Sequence, residues 1–110
     1  MHVTVVDNNK ERHNDHAQSF KQLNITNYDI NESIDVNMIS SIKSNIILVH
    51  ESNAEFCQIE SSDNFGKIRI FFSDGTLTEY IQDKYNYYVP FEKLHHTLEK
   101  VLDDMDYKDK

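Results

Sequence analysis

The sequence predicts one α/β domain on a five-stranded, mainly parallel sheet with helices on both faces. Three observations carry this. Short segments rich in β-branched and aromatic residues, such as HVTVV, NIILVH and KIRIFF, alternate with segments of helical pattern. Residues 46–49 form an unbroken apolar run, as expected of a central strand buried on both faces. The chain then ends on a strong amphipathic pattern, in which Phe91, Leu94, Leu98, Val101, Leu102 and Met105 face one way and Glu92, Lys93, Glu99 and Lys100 the other.

The first strand is predicted at residues 2–6 and breaks at the polar DNN. A helix follows over 10–23, with His13, Ala17, Phe20 and Leu23 as its inner stripe. ITNYDI, 25–30, is a weaker strand, diluted by Asn27 and Asp29 and suited to an edge. Asn31 is placed to cap a helix carrying Ile34, Met38 and Ile42 at a spacing of four, with Ile39 beside them. Residues 45–50 give the third strand. SNAEFCQIESSD, 52–63, gives a short helix with Ala54, Phe56, Cys57 and Ile59 as its apolar positions. Residues 67–72 give the fourth strand. Asp74-Gly75 then opens a stretch, 74–82, that reads equally as a hairpin or as a turn and a short helix. YNYYV, 85–89, is the fifth strand, ended by Pro90. The domain is expected to span 1–106, with a disordered polar tail at 107–110.

The 110 residues suffice for one core. Nineteen acidic against eleven basic side chains give a net charge of −8. That disfavours nucleic acid, whose binding needs a basic face, and an anionic membrane surface. Cys57 is the single cysteine, so no internal disulfide can form, which fits a reducing, cytoplasmic setting. Cys57 itself reads as a small buried apolar side chain. No basic, apolar leader pattern or membrane-length apolar segment is present, and no internal repeat.

The catalytic inventory is thin. Gly66 and Gly75 are the two glycines, so a glycine-rich phosphate cradle is excluded, and no nucleophile elbow or paired carboxylates occur. His13 and His16 lie one turn apart and His95-His96 adjoin, but neither pair has further ligands at a metal-binding spacing, so no metal or cofactor is expected. His50 ends the apolar third strand, where open α/β sheets place their sites. Its plainest role is a polar strand end bonded to Asp7 or Ser73. Asp7 is expected to cap the first helix or hold its loop. Ser73 reads equally as an anion ligand or a satisfied strand end. Tyr85, Tyr87 and Tyr88 crowd one strand, with Tyr87 and Tyr88 on opposite faces. With Tyr80 and Phe91 they are the candidates for a contact surface, since tyrosine is enriched at interfaces.

VTVVDNN, NIILVHES, IRIFFSDG and YYVPFEKLHHTLEKVL, in this order, resemble the receiver domain of bacterial response regulators, over nearly the whole chain. The resemblance implies the receiver (flavodoxin-like) topology. It also implies a phosphorylation site built from an acidic pair after the first strand, an aspartate ending the third, a hydroxyl ending the fourth and a lysine before the proline. Here Asp7 is followed by Asn8 and Asn9, His50 stands at the phosphoacceptor, Ser73 keeps the hydroxyl and Val89 replaces the lysine. With one carboxylate of three, and no lysine, the site is poorly equipped to hold Mg²⁺ or to answer to an acyl phosphate. Only 16 residues separate Ser73 from Pro90, so the fourth helix is expected to be shortened or replaced. The resemblance therefore implies a pseudo-receiver of two-component signalling: not an enzyme, and acting through protein contact independent of phosphorylation. A second copy of the chain is one allowed partner. Two alternatives stand beside it: a receiver still switched by phosphorylation, at His50 for example, and an acidic inhibitor of a nucleic-acid-binding protein.

Overall fold

The patterns above predict alternating strands and helices, and the computed structural model describes residues 1–63, 66–75, 80–81 and 85–105. Strands β1 (Val3–Val6), β2 (Tyr28–Asn31), β3 (Ile46–His50), β4 (Ile68–Ser73) and β6 (Asn86–Pro90) pair in parallel. A two-residue strand β5, Tyr80–Ile81, runs antiparallel to β6 at the edge. The sheet order is β2-β1-β3-β4-β6-β5. Its five parallel strands follow the flavodoxin-like order, in which the chain winds first to one side of β1 and then to the other.

Alternation along the strands divides the apolar residues between two cores. Val3, Val5, Ile46, Leu48, Ile70, Phe72 and Val89 meet helices α1 (Lys10–Gln22) and α3 (Leu94–Asp104) on one face. Val6, Ile47, Val49, Phe71 and Tyr88 meet a 3₁₀ segment, Val36–Ser41, and helix α2 (Phe56–Ser61) on the other. All five residues of β3 are buried, as the unbroken apolar run predicts.

Asn9 caps α1, its side chain accepting from the Glu11 N–H. The helix closes with Asn24 at φ 60° and Ile25 N–H donating to Phe20 O at 2.8 Å, which turns buried Ile25 back onto the core.

Local readings fail where polar contacts or the third dimension outweigh periodicity. The buried stripe of α1 is Arg12, His16 and Phe20 rather than His13 and Ala17, because a buried carboxylate draws two polar side chains inward; Leu23 packs against the core as expected. Asn31 lies in β2, where its side chain donates to Val5 O and Asp29, and the following segment is a 3₁₀ turn capped by Asp35. The turn's closer spacing brings Ile39 and Ile42 to the core and leaves Met38 exposed. Helix α2 starts at Phe56, four residues later than the pattern suggested. Ala54 and Cys57 are exposed and only Ile59 of its apolar residues is buried. Of the stretch 74–82, left open between a hairpin and a short helix, residues 76–79 and 82 lie outside the described residues; Tyr80–Ile81 pairs antiparallel with β6. The final helix opens with a 3₁₀ turn, Phe91–Lys93, before α3. The expected tail at 107–110 lies outside the described residues.

Candidate functional site

The carboxyl ends of β1, β3 and β4 converge on one polar cluster. Asp7 follows β1 directly, its N–H donating to Asn31 O at 2.9 Å, and it is fully buried. A buried carboxylate needs every lone pair engaged. Arg12 Nε donates to Asp7 Oδ2 at 2.8 Å and Arg12 Nη2 to Oδ1 at 2.8 Å, the two-pronged geometry of a guanidinium on a carboxylate. His16 Nε2 donates to Oδ2 at 2.8 Å and the Asn9 N–H to Oδ1 at 3.1 Å. His13 Nε2 donates to the Asp7 carbonyl at 2.6 Å. Arg12 and His16 sit one helical turn apart on α1, so a single helix delivers both. Asp7 therefore neither caps the helix nor merely holds the loop: it is the anion around which the first turn of α1 is organised.

Burial pushes the Asp7 carboxyl up, but the hydrogen bonds from His16, Arg12 and Asn9 and the guanidinium charge outweigh it and hold the pKa well below the usual carboxylate range. The hydrogen bond to Asp7 likewise raises Arg12, against its own burial. A depressed carboxylate contributes stability that is complete above the unfolded-state value, about 3.9, and is lost as pH falls toward the folded-state value. Asp7→Asn should consequently be less stable than the parent at neutral pH, and the gap should narrow steadily as pH falls below about 5. Urea midpoints across that range check it; a constant gap would mean that the ionised carboxylate is not what matters.

The second prong of Arg12 reaches outward. Its Nη1 donates to Asp74 Oδ2 at 2.6 Å, and Asp74, just past β4, has 59% of its side chain exposed. One guanidinium thus bridges a buried and an exposed carboxylate, while the Phe91 ring lies 6.0 Å from its central carbon.

His50 is buried at the end of β3, where it contacts neither Asp7 nor Ser73, the partners expected of it. Its Nδ1 accepts the Ser52 N–H at 3.1 Å and lies 2.6 Å from the Ser52 hydroxyl. Nε2 lies 3.4 Å from Asp74 Oδ1 without the alignment of a hydrogen bond. The ring stands edge-on to Phe72 at 5.1 Å. Asn8 joins the two loops: its N–H donates to Asn53 Oδ1 at 3.0 Å, and its side chain exchanges hydrogen bonds with Ser52. Ser73 is buried and its hydroxyl has no hydrogen-bond partner. Val89 belongs to the apolar core beside α3.

Asp7, Asn8 and His50 are therefore brought together, but through Arg12 and Asp74, two residues that the sequence reading passed over. Arg12 had a signal: it stands four residues before His16 and eight before Phe20, a stripe as regular as the one chosen. Among the tyrosines, Tyr88 points inward, stacked 5.0 Å from Phe71 with its hydroxyl donating to Glu60 at 2.8 Å. Tyr85, Tyr87 and Phe91 are half-buried, and the Tyr80 side chain lies outside the described residues.

Chemically, the cluster is neutralised from within. Its fixed cation is a side chain, and among the described residues no three histidine, cysteine or acidic side chains are grouped to hold a metal. No helix among the described residues is long and apolar enough to cross a membrane. No family model, curated protein or solved structure matches the chain.

Proposed function

We propose that the chain is a pseudo-receiver, a non-enzymatic signalling module of two-component type that binds a protein partner without phosphorylation. One observation carries the proposal: the Arg12 guanidinium stands between Asp7 and Asp74, where a working receiver would need room and negative charge for Mg²⁺. A resident cation satisfies the carboxylate, repels a divalent ion and cannot leave without breaking the buried pair. The strand order and the placement of His50 and Val89 support the same reading. Partner contact falls to Tyr85 and Tyr87, half-buried rings beside and on β6, and to Phe91, half-buried where the final helix begins.

Amide NMR spectra of the 110-residue chain, with Mg²⁺ and beryllofluoride added, test this. An unchanged, well-dispersed spectrum is expected. Shifts gathered at residues 7–9, 50–52 and 73–75 would overturn the phosphate-independent reading in favour of a receiver that still switches.

A further inference from the structure

A cavity of about 280 Å³ opens between α1 and α3. Its inner wall is Phe20, Leu48, Phe91, Leu94 and Leu98. Leu48 is fully buried in the central strand, so the gap between the helices reaches the sheet itself. Two larger hollows, about 480 and 560 Å³, lie beside the β1–β2 edge of the sheet and between α1 and the loop into β2. We propose that the α1–α3 cavity binds an uncharged small molecule with a flat apolar body and one N–H or O–H group.

Each part of that description follows from the lining. The volume lies just under the range of about 300–1,000 Å³ usual for small-molecule sites, so the ligand is the size of one fused ring system. The floor is aliphatic and aromatic, which selects an apolar body. Of the polar lining residues, Asp15, Gln18 and Gln22 are exposed, His16 is engaged by Asp7, and Ser19 Oγ and His95 Nδ1 pair at 2.6 Å. A hydroxyl both donates and accepts, so Ser19 can hold His95 and still accept from a ligand. The lining includes no lysine or arginine, and Asp15 is exposed at its rim, so an anionic ligand would meet no fixed counter-charge.

The cavity also touches the polar cluster. His16 lines it and donates to Asp7, and Phe91 lines it and lies over Arg12. A ligand seated there would press on the residues that hold the buried pair. The inference stands on the cavity alone and does not depend on the pseudo-receiver reading.

Indole, flat and uncharged with a single N–H, is the probe. Titrated into the isotope-labelled chain, it should give saturable shifts at Ser19, Phe20, Leu94, His95 and Leu98, and nuclear Overhauser contacts to the Leu48 and Leu98 methyls. Indole-3-acetate should bind about tenfold more weakly or less. Gln22→Trp, at an exposed position on the rim, should weaken indole by a similar factor while leaving the fold intact. The proposal is overturned by three outcomes: no saturable shifts up to the solubility limit, shifts centred instead on the hollow beside Lys21 and Tyr28, or Overhauser contacts that omit Leu48 and Leu98.

Discussion

Arg12→Ala should cost about 3–5 kcal/mol of stability, because it leaves the Asp7 carboxylate buried with no counter-ion. Domains of this size hold only about 5–15 kcal/mol in total, so the variant should be partly unfolded at low denaturant. Its melting temperature should fall by about 4–8 °C for each kcal/mol lost. The cause is the stranded charge rather than the lost contact, and the two can be separated. Asp7→Asn combined with Arg12→Ala removes both charges and should recover much of the loss, a positive coupling readable in a double-mutant cycle. Arg12→Lys keeps the charge but not the two-pronged geometry, and should fall between. The ion pair with exposed Asp74 is worth far less, about 0–1 kcal/mol, so Asp74→Ala should be nearly neutral. Equal losses from Asp74→Ala and Arg12→Ala in urea unfolding would sink the account.

The uneven value of the two ion pairs explains how the cluster is organised. Asp7 is fixed, because it is fully buried and held by Arg12, His16 and the Asn9 N–H. Asp74 is held at one oxygen by Arg12 and lies near His50 at the other, with most of its side chain in solvent. The site therefore has a rigid inner half, made by α1, and a loosely held outer half, made by the end of β4.

Particular residues show what could be read in advance. The residues of β3 were legible because an apolar run with no polar alternation has one common solution, a strand covered on both faces. The residues of α3 were legible because Leu94, Leu98, Val101 and Leu102 repeat at helical spacing and all are buried, although Met105, the last of the predicted stripe, falls past the helix end and is exposed. His50 and Ser73 were placed correctly at strand ends, since that follows from strand boundaries alone. Their partners were not legible. Whether His50 meets Asp7 or Asp74 depends on how far β4 runs past β3, which is a property of the sheet register and not of either segment. The inward stripe of α1 was misread for a related reason: apolarity ranks Ala17 above Arg12, and only the presence of buried Asp7 reverses that order. Cys57 failed for a plainer reason: it stands two residues before buried Ile59, about 200° round the helix, and so faces away from the core.

Phe72→Ala should cost a further kind of stability, about 3–5 kcal/mol from a lost aromatic side chain and the cavity left behind. Phe72 is fully buried and is the ring on which the cluster rests. His16 meets it edge-on at 5.5 Å, His50 edge-on at 5.1 Å, and Phe91 at 5.9 Å. Its neighbour in sequence, Phe71, is the matched control: equally buried, it faces the opposite core, edge-on to Phe56 and stacked on Tyr88. Both truncations should lower the urea midpoint by similar amounts. Only Phe72→Ala should also move the imidazole resonances of His16 and His50, which lose the ring current beside them. If Phe71→Ala moved those resonances equally, the two faces of the sheet would be coupled through the backbone, and the cluster could not be treated as the property of one face. If neither did, the histidines would be held by their polar partners alone, Asp7 for His16 and Ser52 for His50. Phe72 would then be core and nothing more, and the route from the α1–α3 cavity to the site would run through Phe91 and His16 without it.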